Sequence, residues 1–195
     1  MENLNSEFWT QRYKEGSTGW DIGYPSTPIK EYIDQIDNKD LKILVPGAGN
    51  AYEVEYLWNN GFKNVYVLDY SSFPLENFIK RIPSFPSHQM LFMNFFDLKE
   101  TFDLVLEQTF FCAIDRNLRP DYAKKMHEII KPEGKLVGVL FASEFDKPGP
   151  AFGGNNVEYV KYFEPYFEIK LMDICTNSIP QRLGNELFME LIRNP

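Results

Sequence analysis

The 195-residue sequence lacks any hydrophobic run long enough to cross a membrane, and it contains only two cysteines, Cys112 and Cys175. A transmembrane helix needs about 20 consecutive, mostly apolar residues. The acidic first residues also lack the features of a signal or transit peptide. We therefore expect a cytoplasmic protein with no membrane partner, in which both cysteines are buried free thiols.

Clusters of basic residues are absent as well, since 28 acidic residues outnumber 20 lysines and arginines and give a net charge of −8. Proteins that bind nucleic acids normally present a basic surface to the phosphates. A nucleic-acid partner is therefore disfavoured, a small-molecule substrate is favoured, and no metal site is predicted. With 44% hydrophobic and 25% charged residues, the composition is that of an ordinary globular protein.

Apolar, β-rich segments alternate with amphipathic helical segments, a pattern that predicts an α/β protein with helices on both faces of a sheet. Strands are predicted at residues 42–45, 64–68, 89–93, 102–106, 135–142, 167–174 and 186–192. Helices are predicted at residues 50–60, 72–80, 120–130 and 157–163, and a Gly- and Pro-rich loop at residues 147–155. Because parallel strands need crossover helices, the first five strands should form a doubly wound, Rossmann-like sheet. The last two strands are close enough to pair antiparallel, and one domain is expected over residues 1–195.

Sheets of this kind bind ligands at the carboxyl ends of their strands. Gly47 and Gly49 follow the first predicted strand, and two glycines so spaced allow a tight turn and a close approach to a ligand. Asp69 ends the second strand, 20 residues after Gly49. A carboxylate at that position can accept hydrogen bonds from ribose hydroxyls. The pattern predicts a nucleoside-binding site.

The identity of the nucleoside depends on Tyr52, which stands where a dinucleotide-binding motif has its third glycine. So large a side chain disfavours a pyrophosphate, and the sequence therefore favours S-adenosyl-L-methionine over a nicotinamide dinucleotide. After the third strand, Asn94 is a candidate for holding the adenine amine, with Phe95 beside it. Two alternatives stay open: a nicotinamide-dependent oxidoreductase and a non-catalytic nucleoside-binding module.

Several short motifs follow one another between Phe8 and Ile192. They are Trp-Asp-Ile-Gly at 20–23, Leu-Val-Pro-Gly-Ala-Gly at 44–49, Phe-Phe-Cys-Ala-Ile at 110–114, Arg-Pro at 119–120, Ile-Lys-Pro-Glu-Gly at 130–134, Gly-Pro-Ala-Phe at 149–152 and Ser-Ile-Pro-Gln-Arg at 178–182. In these motifs the chain resembles the thiopurine S-methyltransferase family, and within it the plant and bacterial halide/thiol methyltransferases. The resemblance implies a seven-stranded class I methyltransferase, mostly parallel with the last strand antiparallel. It also implies an N-terminal aromatic lid over residues 1–40 and a core over residues 41–195.

The resemblance further implies which residues bind S-adenosylmethionine. They are Trp9, Tyr13 and Trp20 in the lid, Gly47, Asp69, the adenine pair Asn94 and Phe95, and Glu107 and Gln108 beside the methionine moiety. Three positions depart from the family pattern. Tyr13 replaces a tryptophan, Asn94 replaces an aspartate, and Gln108 replaces an arginine implicated in thiopurine binding, so thiopurines themselves are disfavoured. Arg182 matches a family arginine near the substrate entrance.

Methyl transfer from a sulfonium requires that donor and acceptor be held about 3 Å apart and shielded from water. A thiol is partly ionised at neutral pH and needs no strong base; neither histidine lies at the candidate site. The lid aromatics would stabilise the sulfonium, or would simply pack the N-terminal segment down. Phe110 and Phe111 are candidates for the acceptor pocket, with core packing as the alternative. Arg182 is a candidate for attracting an anionic acceptor, or is a surface arginine. The prediction is an S-methyltransferase for a small, soft nucleophile, acting as a monomer or weak homodimer.

Overall fold

The computed structural model describes residues 4–146 and 149–195. The predicted loop at residues 147–155 therefore has its first two residues, Lys147 and Pro148, outside the described part of the chain. No helix within the described residues is long and apolar enough to span a membrane.

A single sheet of seven strands forms the centre of the described structure. The strands are β1 Ile43–Pro46, β2 Val65–Asp69, β3 Met90–Phe92, β4 Phe102–Gln108, β5 Ile130–Phe141, β6 Phe167–Ile174 and β7 Glu186–Arg193. Their order is β3-β2-β1-β4-β5-β7-β6. Strands β1 to β5 pair in parallel, and β7 runs antiparallel to both β5 and β6. The predicted seven-stranded, mostly parallel sheet is confirmed, and its switch point lies between β1 and β4.

Helices cover both faces of this sheet, as predicted. They are α1 Ser6–Lys14, α2 Thr27–Asp34, α3 Tyr52–Asn59, α4 Ser72–Arg81, α5 Arg119–Ile129 and α6 Asn156–Phe163. Apolar residues of α5 and α6 pack into one hydrophobic cluster, and those of α2, α3 and α4 pack into a second. In the central strand β1, Leu44 belongs to the first cluster while Ile43 and Val45 belong to the second. Successive side chains of a strand point to opposite faces, so one strand contributes to both layers.

Two of the differences between predicted and observed element boundaries have a cause in the local backbone geometry. The helix predicted from residue 50 begins at Tyr52, since Ala51 adopts a left-handed conformation with φ of 58°. Strand β5 begins at Ile130 instead of residue 135, because Ile130 already pairs with Phe102. The pairing shifts register before it resumes at Lys135 opposite Leu104. The sequence Lys-Pro-Glu-Gly reads as a helix-ending turn, whereas in the fold it forms an irregular part of the strand.

Candidate active site

A cavity of about 910 Å³ opens where β1, β2 and β4 end. The N-terminal segment, which we define as residues 4–40, forms part of its wall. Eleven of the residues predicted from the sequence line it: Trp9, Tyr13, Trp20, Gly47, Gly49, Asp69, Asn94, Phe95, Gln108, Phe110 and Arg182. Neither His88 nor His127 is among the described lining residues. The structure thus brings most of the predicted residues into one cavity at the switch point of the sheet.

The glycine turn and Asp69 are held together by hydrogen bonds. The backbone N–H of Gly49 donates to Oδ2 of Asp69 at 2.9 Å, and that of Ser71 donates to Oδ1 at 2.8 Å. Gly47 and Gly49 have φ values of 57° and 53°, a left-handed conformation that favours glycine. Burial raises the pKa of Asp69, and the two N–H donors oppose that shift. Each carboxylate oxygen keeps a lone pair, so Asp69 can still accept hydroxyl donors from a ligand.

Three aromatic side chains of the N-terminal segment adjoin one another on the cavity wall. The rings of Trp9 and Trp20 lie 5.5 Å apart, and those of Tyr13 and Trp20 lie 5.7 Å apart, both edge to face. Nε1 of Trp20 donates a hydrogen bond to the hydroxyl of Tyr13 at 3.3 Å. Burial raises the pKa of Tyr13, so its phenol stays neutral. The group presents neutral π-systems to the cavity, and such rings attract cations.

Helix α1 is fixed over the end of β2 by side-chain hydrogen bonds. The hydroxyl of Ser6 donates to the carbonyl of Tyr70, and the hydroxyl of Tyr70 donates to the carbonyl of Leu4. The hydroxyls of Thr10 and Ser71 lie 2.7 Å apart. Because Ser71 also donates its N–H to Asp69, helix α1 and the candidate ribose carboxylate are linked through one loop.

Gln108 contacts the N-terminal segment as well as the cavity. Its Oε1 accepts a hydrogen bond from the hydroxyl of Ser26 at 2.6 Å. The N–H of Ser26 donates to Oε1 of Glu53 at 3.0 Å. Glu53 lies in the cavity wall, and burial raises its pKa. Sequence reasoning did not identify Glu53 as a site residue, because an acidic residue in the first turn of a helix is common.

Arg182 is already engaged within the protein, a contact that sequence reasoning missed. Its Nη2 donates to the carbonyl of Trp20 at 2.9 Å, and its Nη1 lies 3.5 Å from Oε1 of Glu186. Next to Trp20, Asp21 accepts a hydrogen bond from the side-chain amide of Asn50, directly after the glycine turn. These contacts tether the middle of the N-terminal segment to the core on two sides of the cavity.

Asn94 begins a short 3₁₀ helix, Phe95–Asp97, where its Oδ1 accepts the N–H of Phe96 at 3.0 Å. One lone pair of that oxygen is therefore used locally, and the second remains for a ligand amine. Phe95 is buried, and its ring lies 5.2 Å from that of Phe110. This pair connects the segments that follow β3 and β4.

Two predicted site residues, Glu107 and Phe111, do not reach the described cavity wall. Glu107 is fully buried, and its Oε1 accepts the N–H groups of Phe110 and Phe111 at 2.8 and 2.9 Å. Its Oε2 accepts the hydroxyl of Tyr122. Phe111 is buried in the hydrophobic core, where its ring lies 5.0 Å from that of Tyr122. Glu107 therefore fixes the backbone of the segment after β4 through hydrogen bonds, and Phe111 packs that segment against the core.

The Glu107 carboxyl gives a testable dependence of stability on pH. Burial raises its pKa to about 7 from an ordinary 4.5. For a raised pKa, the stabilising contribution is complete below the unfolded value and is lost as pH rises through the folded value. Between about pH 5 and pH 8, the free energy of unfolding should fall by about 2–3 kcal/mol more in the unmodified protein than in Glu107→Gln.

Urea denaturation of both proteins at a series of pH values measures this difference. Glutamine is a matched replacement, because its carbonyl can accept the two backbone N–H groups and its amide can donate to Tyr122. Parallel pH profiles for the two proteins would show that Glu107 titrates as it does in the unfolded chain.

The charged groups in the described cavity wall are mostly acidic. They are the carboxyl groups of Asp21, Glu53, Asp69 and Asp115 and the guanidinium groups of Arg12 and Arg182. The Nε of Arg12 is buried without a hydrogen-bond partner, and its guanidinium lies 4.8 Å from the ring of Phe8. Such a cavity favours a ligand that carries positive charge together with an anionic group for Arg12. S-adenosylmethionine, with its sulfonium, amine and carboxylate, fits these residues.

Comparison with known proteins agrees with a site for S-adenosylmethionine. The profile of the thiopurine S-methyltransferase family matches residues 4–186. A probable thiol methyltransferase 2 of Arabidopsis thaliana is 30% identical over 170 residues, covering 85% of this chain and 75% of the relative. Thiocyanate methyltransferase 1 of Brassica oleracea is 28% identical over 156 residues, 77% of this chain and 69% of the relative.

Among solved structures, a similar fold occurs in the 1,6-didemethyltoxoflavin-N1-methyltransferase of Burkholderia thailandensis, determined with S-adenosylhomocysteine bound. The TM-score is 0.73 at 16% identity, and the match covers 97% of this chain and 87% of that one. At this identity the likeness concerns the fold alone.

Proposed function

The chain belongs to the thiopurine S-methyltransferase family and is an S-adenosylmethionine-dependent methyltransferase, and we propose that its acceptor is a small, soft nucleophile such as a thiol. The observation that carries the proposal is the junction of the glycine turn with Asp69 at the cavity, beside three neutral aromatic rings. Family membership favours this function over a nicotinamide-dependent oxidoreductase and over a non-catalytic binding module.

In this proposal, different residues of the cavity bind different parts of the methyl donor. Asp69 accepts the ribose hydroxyls, and the turn from Gly47 to Gly49 lies against the sugar. Asn94 and Phe95 hold the adenine. The methionine moiety lies beside Gln108, and the proximity of Gln108 to Ser26 supports a position under the N-terminal segment.

When bound, S-adenosylmethionine supplies a methyl group on a positively charged sulfur. Trp9, Tyr13 and Trp20 stabilise that charge and exclude water. The chain itself supplies no thiol nucleophile at the cavity, because burial raises the pKa of Cys112 to about 12. A soft acceptor reacts as its own thiolate, and the residues around it need only to position it.

The partners, the cellular location and the oligomeric state are proposed from the composition and charge of the chain. We propose a small-molecule acceptor, no nucleic-acid or membrane partner, a cytoplasmic location, and a monomer or weak homodimer. The N-terminal segment would act as a lid over the core, since its contacts with the core surround the cavity.

A methyl-transfer screen tests the proposed function. The purified protein is incubated with S-adenosylmethionine carrying a labelled methyl group and with thiols, hydrosulfide, thiocyanate, iodide or a thiopurine. Labelled thioether or methylated anion is the expected product. Binding of S-adenosylhomocysteine without transfer to any acceptor would instead favour the binding module.

The lid role of Trp20 gives a second prediction. Trp20→Ala removes a ring that contacts both Trp9 and Tyr13. The loss of one aromatic contact costs roughly 1–2 kcal/mol. The dissociation rate of S-adenosylhomocysteine should therefore rise about 5- to 30-fold. Stopped-flow fluorescence measures the rate. The midpoint of urea unfolding should change little because Trp20 is not buried in the core; a variant that fails to fold would mean that Trp20 is a core residue.

A further inference from the structure

One contact between the N-terminal segment and the core lies directly beside the glycine turn. The side-chain amide of Asn50, the residue after Gly49, donates a hydrogen bond to Oδ2 of Asp21. The other carboxylate oxygen, Oδ1, accepts the backbone N–H of Gly23 at 2.8 Å. Asp21 directly follows Trp20, which lines the cavity. The contact therefore joins the turn that approaches the ligand to the segment that carries the aromatic rings.

The core holds the side chain of Asn50 in one orientation. Its Oδ1 accepts a hydrogen bond from Nδ2 of Asn77 on α4 at 3.2 Å, and its backbone carbonyl accepts one from Nη2 of Arg81. A carboxylate only accepts hydrogen bonds, so the amide nitrogen of Asn50 is the atom that faces Asp21. Because both ends of the amide are engaged, Asn50 presents a fixed donor to the N-terminal segment.

Asp21 depends on such donors because no cation in the described part of the chain forms an ion pair with it. The two guanidinium groups beside this contact pair with glutamates instead, Arg182 with Glu186 and Arg81 with Glu55. The charged groups in the described cavity wall are mostly acidic. A hydrogen bond to an ionised carboxylate is stronger than one between neutral groups. The amide therefore contributes a large part of what holds this carboxylate in place.

We propose that Asn50 is a positioning residue that holds the N-terminal segment closed over the methyl donor through its hydrogen bond to Asp21. This inference rests on the proposed function, in which that segment acts as a lid. By fixing Asp21, Asn50 also fixes the neighbouring Trp20. It thereby controls how long the donor and the product S-adenosylhomocysteine stay bound.

The dissociation rate of S-adenosylhomocysteine from the full chain, measured by stopped-flow fluorescence, tests this role. Asn50→Asp should raise the rate about tenfold or more, because repulsion between two carboxylates replaces a hydrogen bond to a charged group. Asp21→Asn should raise it about 2- to 10-fold, since only a neutral hydrogen bond remains.

Exchanging the two side chains separates positioning from direct contact with the ligand, since Asn50 itself lines the cavity. In the double variant Asp21→Asn, Asn50→Asp, an amide again faces a carboxylate. Gly23 and Asn77 each keep an oxygen to which they can donate. The rate should return to within about twofold of that of the unmodified protein. If Asn50 acted by touching the ligand, the double variant would be at least as impaired as Asn50→Asp.

Two further variants serve as controls. Asn59→Asp makes the same chemical change at an exposed position on α3, outside the described cavity wall, and should leave the rate unchanged. Asn77→Ala removes the side chain that orients the amide of Asn50, and Asn77 is not among the described lining residues. This variant should raise the rate about 2- to 5-fold, and it tests the role even if Asn50→Asp does not fold.

The outcomes distinguish this inference from the proposed function. An unchanged rate in Asn50→Asp or in Asn77→Ala, or a double variant without recovery, would overturn the positioning role and leave the methyltransferase intact. An equal rise in Asn59→Asp would also overturn it. Absence of S-adenosylhomocysteine binding to the unmodified protein would overturn both.

Discussion

Asp69→Ala is expected to weaken the binding of S-adenosylhomocysteine by about 10- to 150-fold, equivalent to about 1.5–3 kcal/mol for hydrogen bonds to a charged group. The carboxylate has two functions in our account. It accepts the ribose hydroxyls, and it holds the N–H groups of Gly49 and Ser71. Removing it takes away the sugar contact and frees the turn against which the sugar lies. Isothermal titration calorimetry measures the affinity.

Asp173→Ala serves as the control for this change. Asp173 is an exposed carboxylate on β6, and it is not among the described residues that line the cavity. Its removal changes net charge by the same amount and should leave the affinity as it is. Equal affinities in the unmodified protein and in Asp69→Ala would mean that the sugar lies elsewhere.

Gly47→Ala should combine a loss of stability with a loss of ligand binding. Gly47 has φ of +57°, and a Cβ there would collide with the ring of Phe110. Left-handed backbone strain and overpacking together should lower the free energy of unfolding by about 2–4 kcal/mol. Because the ring that must shift is part of the cavity wall, S-adenosylhomocysteine should bind at least tenfold more weakly. Urea denaturation and calorimetry measure the two effects.

Gly61→Ala is a control that introduces backbone strain without a steric collision. Gly61 has φ of +92°, and a Cβ there meets nothing within 4 Å. This variant should show only the backbone cost of about 1–2 kcal/mol, with normal ligand binding. If both variants lost the same stability and both bound ligand normally, the close packing of Phe110 on the turn would have no role in the site.

The glycine turn and Asp69 could be placed at the cavity from the sequence because each follows directly from the end of a predicted strand. Strand ends in a parallel sheet meet at one edge, so local patterns are sufficient to bring them together. The roles of Glu107 and Phe111 could not be separated in this way from those of Gln108 and Phe110. Glu107 and Gln108 end strand β4, where adjacent side chains point to opposite faces, whereas Phe110 and Phe111 follow in a turn whose direction depends on the tertiary fold. A motif that includes both members of a pair does not show which one lines the cavity.

The contact of Arg182 with Trp20 joins residues 162 positions apart. No periodicity or spacing reports such a pairing, since it depends on how the N-terminal segment folds over the sheet. Backbone conformation was equally hidden at Ala51 and Thr109, which adopt positive φ although neither is a glycine. Such conformations are maintained by the surrounding structure and have no signature in residue type.

A crystal structure with S-adenosylhomocysteine tests the central claim most directly, because that claim is a single geometric statement about one sugar. Our account predicts both ribose hydroxyls within hydrogen-bonding distance of the Asp69 carboxylate, with the adenine beside Asn94. A sugar bound away from Asp69, or a crevice between Gly47 and Asp69 closed by side chains at saturating ligand, would contradict it.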